Sequence, residues 1–280
     1  MWSKPALFFA FLFHLLSAQS GESEAQVFTY SSPQGTALKA HVFFPADRNT
    51  PKAAVVVFHG GGWTIGSAEW GLGRAKHFAS LGMVGISAQY RLSDGKNITP
   101  LDAMADARAV IRWMRNEAQA LGIDKQRIAA YGWSAGGHLA ACAAAIAGEG
   151  EANTPSAAPN ALVLVSPAVD VGGNDYFQGL LLGRAAGKDL SPDRHVRSGL
   201  PPTLILQGKT DTVTPTPGVT RYAELMKKAG NRCELLVFPG VGHLFTPSHL
   251  PDDDWPQPDP AVRAKAMAAA DQFLKDLGFY

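Results

Sequence analysis

Gly132-Trp133-Ser134-Ala135-Gly136-Gly137 lies between two stretches of opposite character. Before it runs Arg127-Ile128-Ala129-Ala130-Tyr131, short and apolar in the manner of a strand. After it runs Leu139-Ala140-Ala141-Cys142-Ala143-Ala144-Ala145-Ile146, rich in strong helix formers. The serine therefore falls at a strand-to-helix turn. Such a turn is too sharp for bulky residues two positions either side, and Gly132 and Gly136 carry no Cβ. Ser134 is then held in a strained backbone conformation with its hydroxyl pointing out of the sheet. Backbone N–H groups at the helix start face any negative charge that forms beside it. A nucleophilic serine is presented in this way. A tight turn capped by a serine fits the same six residues, so the rest of the chain has to decide.

Outward from that turn, strands alternate with helices. The patterning predicts strands at 27–31, 38–44, 53–58, 83–88, 127–131, 161–166, 203–207 and 233–238. It predicts helices at 70–81, 101–121, 220–229 and 261–277, besides the one after Ser134. In the longest, Met104, Arg108, Ile111, Met114, Ala118 and Leu121 recur at spacings of three and four. The first two strands form a hairpin turned by Pro33-Gln34-Gly35. The remainder implies an α/β fold, a mostly parallel eight-stranded sheet with helices on both faces. Segments 170–199 and 247–260 lack periodicity, and long loops in a compact domain usually shape a site.

In such a sheet, ligands bind beyond the carboxyl ends of the strands. The residues placed there are His59-Gly60-Gly61-Gly62-Trp63, Tyr90-Arg91, Ser134, Asp170, Asp211 and His243. A serine hydroxyl becomes a useful nucleophile when a base takes its proton. Histidine suits that task near neutral pH, and a carboxylate behind it fixes its tautomer. Ser134 is read as nucleophile, His243 as general base and then acid, and Asp211 as the orienting acid. His249 and Asp170 are the rival base and acid. His138 reads as a packed or capping histidine. The three glycines leave backbone N–H groups unshielded, so Gly61 and Gly62 with Ala135 are the expected oxyanion donors. His59 is expected to organise that loop through hydrogen bonds. A phosphate loop fits poorly, since no Gly-Lys-Ser/Thr follows. Tyr90 and Arg91 read as a structural hydrogen-bond network. Trp63, Trp133 and Phe245, with Phe177, are candidates for the pocket wall.

Composition narrows the partners. The chain has 280 residues, 46% hydrophobic and 18% charged, with formal net charge +1. That balance favours neither nucleic acid nor an anionic membrane through bulk electrostatics. Asp252-Asp253-Asp254 reads as a solvated loop. Lys4, an apolar run of about 11 residues and then Ser17-Ala18-Gln19-Ser20 describe a secretory signal peptide. The run is shorter than the roughly 20 residues a membrane span needs. The expected organisation is residues 1–20 as signal peptide and 21–280 as one catalytic domain, secreted or periplasmic. Cys142 and Cys233 are expected as free, buried thiols. No Cys/His spacing for zinc is present, and no cofactor or metal is expected.

The combination HGGGW, SAQYRL, GWSAGGHLAA, GKTDTVTP and GVGH resembles the α/β-hydrolase superfamily over nearly the whole chain after the signal segment. Within it the sequence is similar to hormone-sensitive-lipase-like esterases and acetylxylan/feruloyl-type esterases. The resemblance implies a cofactor-free carboxylic-ester hydrolase working through an acyl-enzyme. The substrate would be a small ester or an acylated polysaccharide, losing acetyl or feruloyl groups. Trp133 replaces the more usual acidic residue of the elbow, which is expected to reshape the acyl pocket. Little chain precedes the first strands, so a minimal cap and a shallow, open site are expected. An amide hydrolase of the same fold and a noncatalytic binding protein are the alternatives.

Overall fold

The continuous apolar runs of the sequence become the centre of a sheet. The computed structural model describes residues 24–146, 155–251 and 254–280. The expected signal segment and Asp252-Asp253 lie outside the described residues. The strands are β1 (Gln26–Ser31), β2 (Leu38–Phe43), β3 (Lys52–Phe58), β4 (Val84–Ala88), β5 (Ile123–Trp133), β6 (Ala161–Val165), β7 (Thr203–Gly208) and β8 (Cys233–Phe238). They form one sheet in the order β1-β2-β4-β3-β5-β6-β7-β8. β1 and β2 pair antiparallel, as do β2 and β4, and every other pair is parallel. In β3 all residues after Lys52 are buried, as a strand covered on both faces requires.

The helices are α1 (Leu72–Ser80), α2 (Pro100–Asn116), α3 (Ala118–Leu121), α4 (Ala135–Ala145), α5 (Asp175–Leu180), α6 (Thr216–Lys228) and α7 (Pro260–Asp276). Two apolar cores result. One joins α2, α4 and α6 to a sheet face, with Phe58, Ile111, Leu139 and Tyr222 inside. The other joins α1 and α7 to the opposite face, around Phe78, Tyr131 and Phe273. α4 is buried along its whole length, and its alanines let it lie close to β5, β6 and α2. Cys142 and Cys233 are free and buried. Burial pushes the Cys142 thiol far up and the Cys233 thiol up to about 11.

Three helix boundaries differ from the periodicity. α6 begins at Thr216, ahead of the expected residue 220, because Pro217 falls in the first turn, where a missing N–H costs nothing. The predicted helix 101–121 is two, since Glu117 leaves helical geometry (φ −91°, ψ 14°). Its start at Pro100 is fixed by Thr99 and Asp102, whose carboxylate accepts the Thr99 amide at 2.9 Å. The first turn of the predicted 70–81 helix belongs to a 3-10 turn, Ala68–Gly71. Segment 170–199, unassigned from sequence, carries α5 and two 3-10 turns. Arg184 in that segment binds Asp102 at 2.9 Å, and Asp102 also meets Arg91 at 3.3 Å. Arg91 in turn holds Asp106 at 2.8 Å. The strand-end network expected at Tyr90-Arg91 therefore anchors the segment that covers the sheet edge.

Candidate active site

At the end of β5 the chain reverses direction in one residue. Ser134 has φ 53° and ψ −120°, a conformation that costs energy for any L side chain. The neighbours explain both glycines. A Cβ on Gly132 would collide with the Gly136 carbonyl, and one on Gly136 with the Phe58 and His59 carbonyls. The serine hydroxyl is thereby lifted off the sheet at the start of α4.

The turns after β7 and β8 bring the other two groups to it. Ser134 Oγ lies 3.1 Å from His243 Nε2, and His243 Nδ1 lies 3.0 Å from Asp211 Oδ2. Both distances are hydrogen bonds. In that row Ser134 donates to Nε2, and the Nδ1–H donates to the carboxylate. Ser134 is 9% exposed and His243 5%. The pair works away from bulk water, where electrostatic contacts are stronger. Asp211 also accepts the amides of Val213 at 3.0 Å and Thr214 at 2.7 Å, and the Gln207 side-chain amide at 3.1 Å. Those donors hold the carboxylate's position behind the imidazole.

Gly61 (φ 113°) and Gly62 (φ 56°) take up left-handed backbone conformations beside the row. A Cβ on Gly61 would strike the Ile65 carbonyl. No described hydrogen bond takes the amide of Gly61, Gly62 or Ala135. His59 stacks on Tyr90 with centroids 4.3 Å apart. Its Nδ1–H donates to the Gly60 carbonyl at 2.6 Å, and Tyr90 donates to the His59 carbonyl at 2.9 Å. Burial lowers the His59 pKa to about 4, so this ring is neutral at neutral pH.

The site opens into a cleft of about 1660 Å³. Trp63, Trp133 and Phe245 all line it. Trp133 is half-buried, whereas Trp63 and Phe245 present little surface. Trp63 donates through its indole N–H to His138 Nδ1 at 3.3 Å and packs on Phe177. Phe245 packs on Phe238 at 5.2 Å. Phe177 is fully buried and belongs to the core. His138 also bonds the Leu190 carbonyl at 2.9 Å, a packed histidine as expected. Asp170 pairs with Arg221, and His249 is exposed. Neither rival joins the row. Segment 170–199 and the loop before α7 both wall the cleft.

Four contributors escaped the sequence reading. The Thr214 hydroxyl lies 2.9 Å from Asp211 Oδ2 and 3.3 Å from His243 Nδ1. Ser166, at φ 42°, accepts the Leu244 amide at 3.1 Å and so fixes the loop of His243. Gln207, next to last in β7, faces the acid. Tyr176 on α5 reaches back to the glycine loop, donating to the Gly62 carbonyl at 3.0 Å. A threonine three residues past Asp211 and a serine closing a strand were the available signals for the first two.

Esterases are among the known proteins similar to this chain. An ethyl acetate hydrolase from Pseudomonas putida is 31% identical over 221 residues, covering 69% of this chain and 66% of that protein. A probable isoprenylcysteine alpha-carbonyl methylesterase from Arabidopsis thaliana is 25% identical over 227 residues, covering 72% and 47%. The chain thus spans about half to two thirds of the length of these curated relatives. The apo form of Thermogutta terrifontis esterase 2 superposes with TM-score 0.82 at 36% identity, covering 92% of this chain and 97% of that one. The same esterase has been solved with butyrate bound and phosphorylated by paraoxon. Residues 41–224 match the BD-FAE family. The chain belongs to that family, one of the α/β-hydrolases.

Proposed function

We propose that this chain is a serine carboxylesterase that acts through an acyl-enzyme on short-chain esters, either small molecules or acyl groups carried on a polysaccharide. The observation that carries this reading is the row Ser134–His243–Asp211, with spacings of 3.1 and 3.0 Å at the floor of the cleft. His243 Nε2 takes the Ser134 proton as Oγ attacks the ester carbonyl, and Asp211 stabilises the imidazolium that forms. The amides of Gly61, Gly62 and Ala135 receive the developing oxyanion. His243 then gives its proton to the leaving alcohol, and a water molecule repeats the sequence to release the acid. The names of the relatives support ester substrates, and an ethyl acetate hydrolase among them supports a small acyl group. A butyrate-bound neighbour of the same fold points the same way. Acetyl is the favoured acyl group and feruloyl the second. The sequence of residues 1–20 supports export.

The test is release from acetylated xylan, feruloylated arabinoxylan and a nitrophenyl ester series, run side by side. The reading expects highest kcat/KM on acetyl to butyryl esters. A preference for acyl chains beyond about eight carbons would contradict it, since a pocket built for them must bury the whole chain. Faster cleavage of an aminoacyl anilide than of the acetyl ester would favour an amide hydrolase of the same fold.

A further inference from the structure

The cleft runs across the sheet edge and has two unlike limbs. One is walled by Val169, Val171 and Val219, from the core that holds α2, α4 and α6. The other lies over the α1 and α7 face and is lined by Trp70, Arg74, Tyr131, Trp133, Trp255 and Arg263. We infer that this second limb receives a ring-shaped alcohol bearing a carboxylate, so that the preferred esters carry an anion on their leaving group. The inference rests on the esterase reading above.

Two guanidinium groups, those of Arg74 and Arg263, stand in this limb. The Arg74 guanidinium lies 5.1 Å from the Tyr131 ring centroid. The Tyr131 hydroxyl reaches Met267 Sδ at 4.0 Å, and Met267 is one helical turn past Arg263. Tyr131 thus touches Arg74 and, through Met267, the helix that carries Arg263. Among the described residues, neither guanidinium has a carboxylate or hydrogen-bond partner, and Arg74 has the Tyr131 ring alone. Both also occupy unfavourable positions. Arg74 is the third residue of α1 and Arg263 the fourth of α7, where the helix dipole opposes positive charge. At α7 the Asp259 carboxylate caps that end by accepting the Ala261 and Val262 amides, both at 2.9 Å, whereas the first turn of α1 holds no acid. Cations kept at such positions without a carboxylate partner point to a functional role. Asp254 is the acid lining this limb among the described residues, and it accepts the Trp255 amide at 2.7 Å.

The remaining walls fit a ring. Trp70 and Trp255 are 42% and 63% exposed and meet edge to face at 5.4 Å. Exposed indoles beside a fork of N–H donors suit a planar or pyranose ring ending in a carboxylate. One side chain, Trp133, separates Tyr131 from Ser134, with its ring centroid 6.3 Å from that of Tyr131. The leaving oxygen belongs on this side. Val241, Leu244 and Phe245, which flank His243, pack in the same core as α1 and α7, and His243 gives its proton to the alcohol.

The experiment compares 4-carboxyphenyl acetate with the neutral 4-carbamoylphenyl acetate, as a ratio of kcat/KM. The expected ratio is about tenfold in favour of the carboxylate, falling as ionic strength is raised. In Arg74→Gln/Arg263→Gln the ratio falls close to one, and each single substitution gives an intermediate value. Because a ratio is read, a general loss of activity does not imitate the effect. A ratio near one in the unsubstituted protein, or one retained in the double variant, overturns the inference while leaving the esterase reading intact. Turnover of neither ester overturns the esterase reading and the inference with it.

Discussion

The Tyr176 hydroxyl donates to the Gly62 carbonyl at 3.0 Å, joining residues 114 positions apart in the chain. Tyr176 is 54% exposed, so burial alone does not place it there. Its oxygen also lies 3.2 Å from the Thr64 hydroxyl. The segment between β6 and β7 thereby steadies the loop whose amides are proposed to receive the oxyanion. Tyr176→Phe removes that hydrogen bond and keeps the ring. A contact of this kind is worth about 1 kcal/mol, so kcat is expected to fall about fivefold with KM nearly unchanged. Steady-state kinetics on a nitrophenyl acetate check it. A rise in KM at constant kcat would make Tyr176 a wall of the pocket and not a support for the loop.

Asp211 is surrounded by donors on both oxygens. Oδ1 accepts the Val213 and Thr214 amides, and Oδ2 faces the Gln207 amide and the Thr214 hydroxyl. Asp211→Asn must turn an NH₂ toward some of them, whichever way it flips. Activity is expected to fall on the order of 10⁴-fold, with a lower Tm as well. Thr214→Val removes one donor only and is expected to cost about tenfold in kcat. Equal losses in the two variants would contradict the role given to the carboxylate.

Two buried histidines make stability depend on pH. Burial lowers both His59 and His138 to about 4. In the unfolded chain a histidine titrates near 6.5, about where it does in water. Between those values the unfolded state holds more protons than the native one, so stability is lost as pH falls through that window. Thermal melts are expected to show a lower Tm at about pH 5 than at about pH 7. His138→Gln keeps a donor for the Leu190 carbonyl and removes the titrating ring, so its drop is expected to be smaller. A Tm that is flat or rises on acidification would contradict the account.

The parts of the site legible in the sequence are those where geometry restricts residue type. The turn at Ser134 admits only glycine at positions 132 and 136, because backbone carbonyls occupy the space a Cβ would need. The glycine loop after β3 is constrained in the same way at Gly61. Parallel strands announce themselves as apolar runs, so the residues that follow them can be placed on one edge before any coordinates exist. The remaining contributors carry no such mark. Thr214 and Ser166 are ordinary loop residues until Asp211 and His243 are in place around them. Tyr176 lies in a segment without periodicity, and its partner is remote in sequence. The pairing of Trp70 with Trp255 is likewise set by tertiary contact alone. The helix start at Thr216 was obscured by Pro217, which reads as a breaker although the first turn tolerates it.

Covalent capture of the nucleophile tests the central claim most directly. The protein is incubated with paraoxon, digested, and the modified peptide located by mass spectrometry. The account predicts one diethylphosphoryl group on Ser134, loss of esterase activity in step with its appearance, and no adduct on a folded Ser134→Ala protein. Phosphorylation at another residue, or full activity in a protein phosphorylated at Ser134, would contradict it.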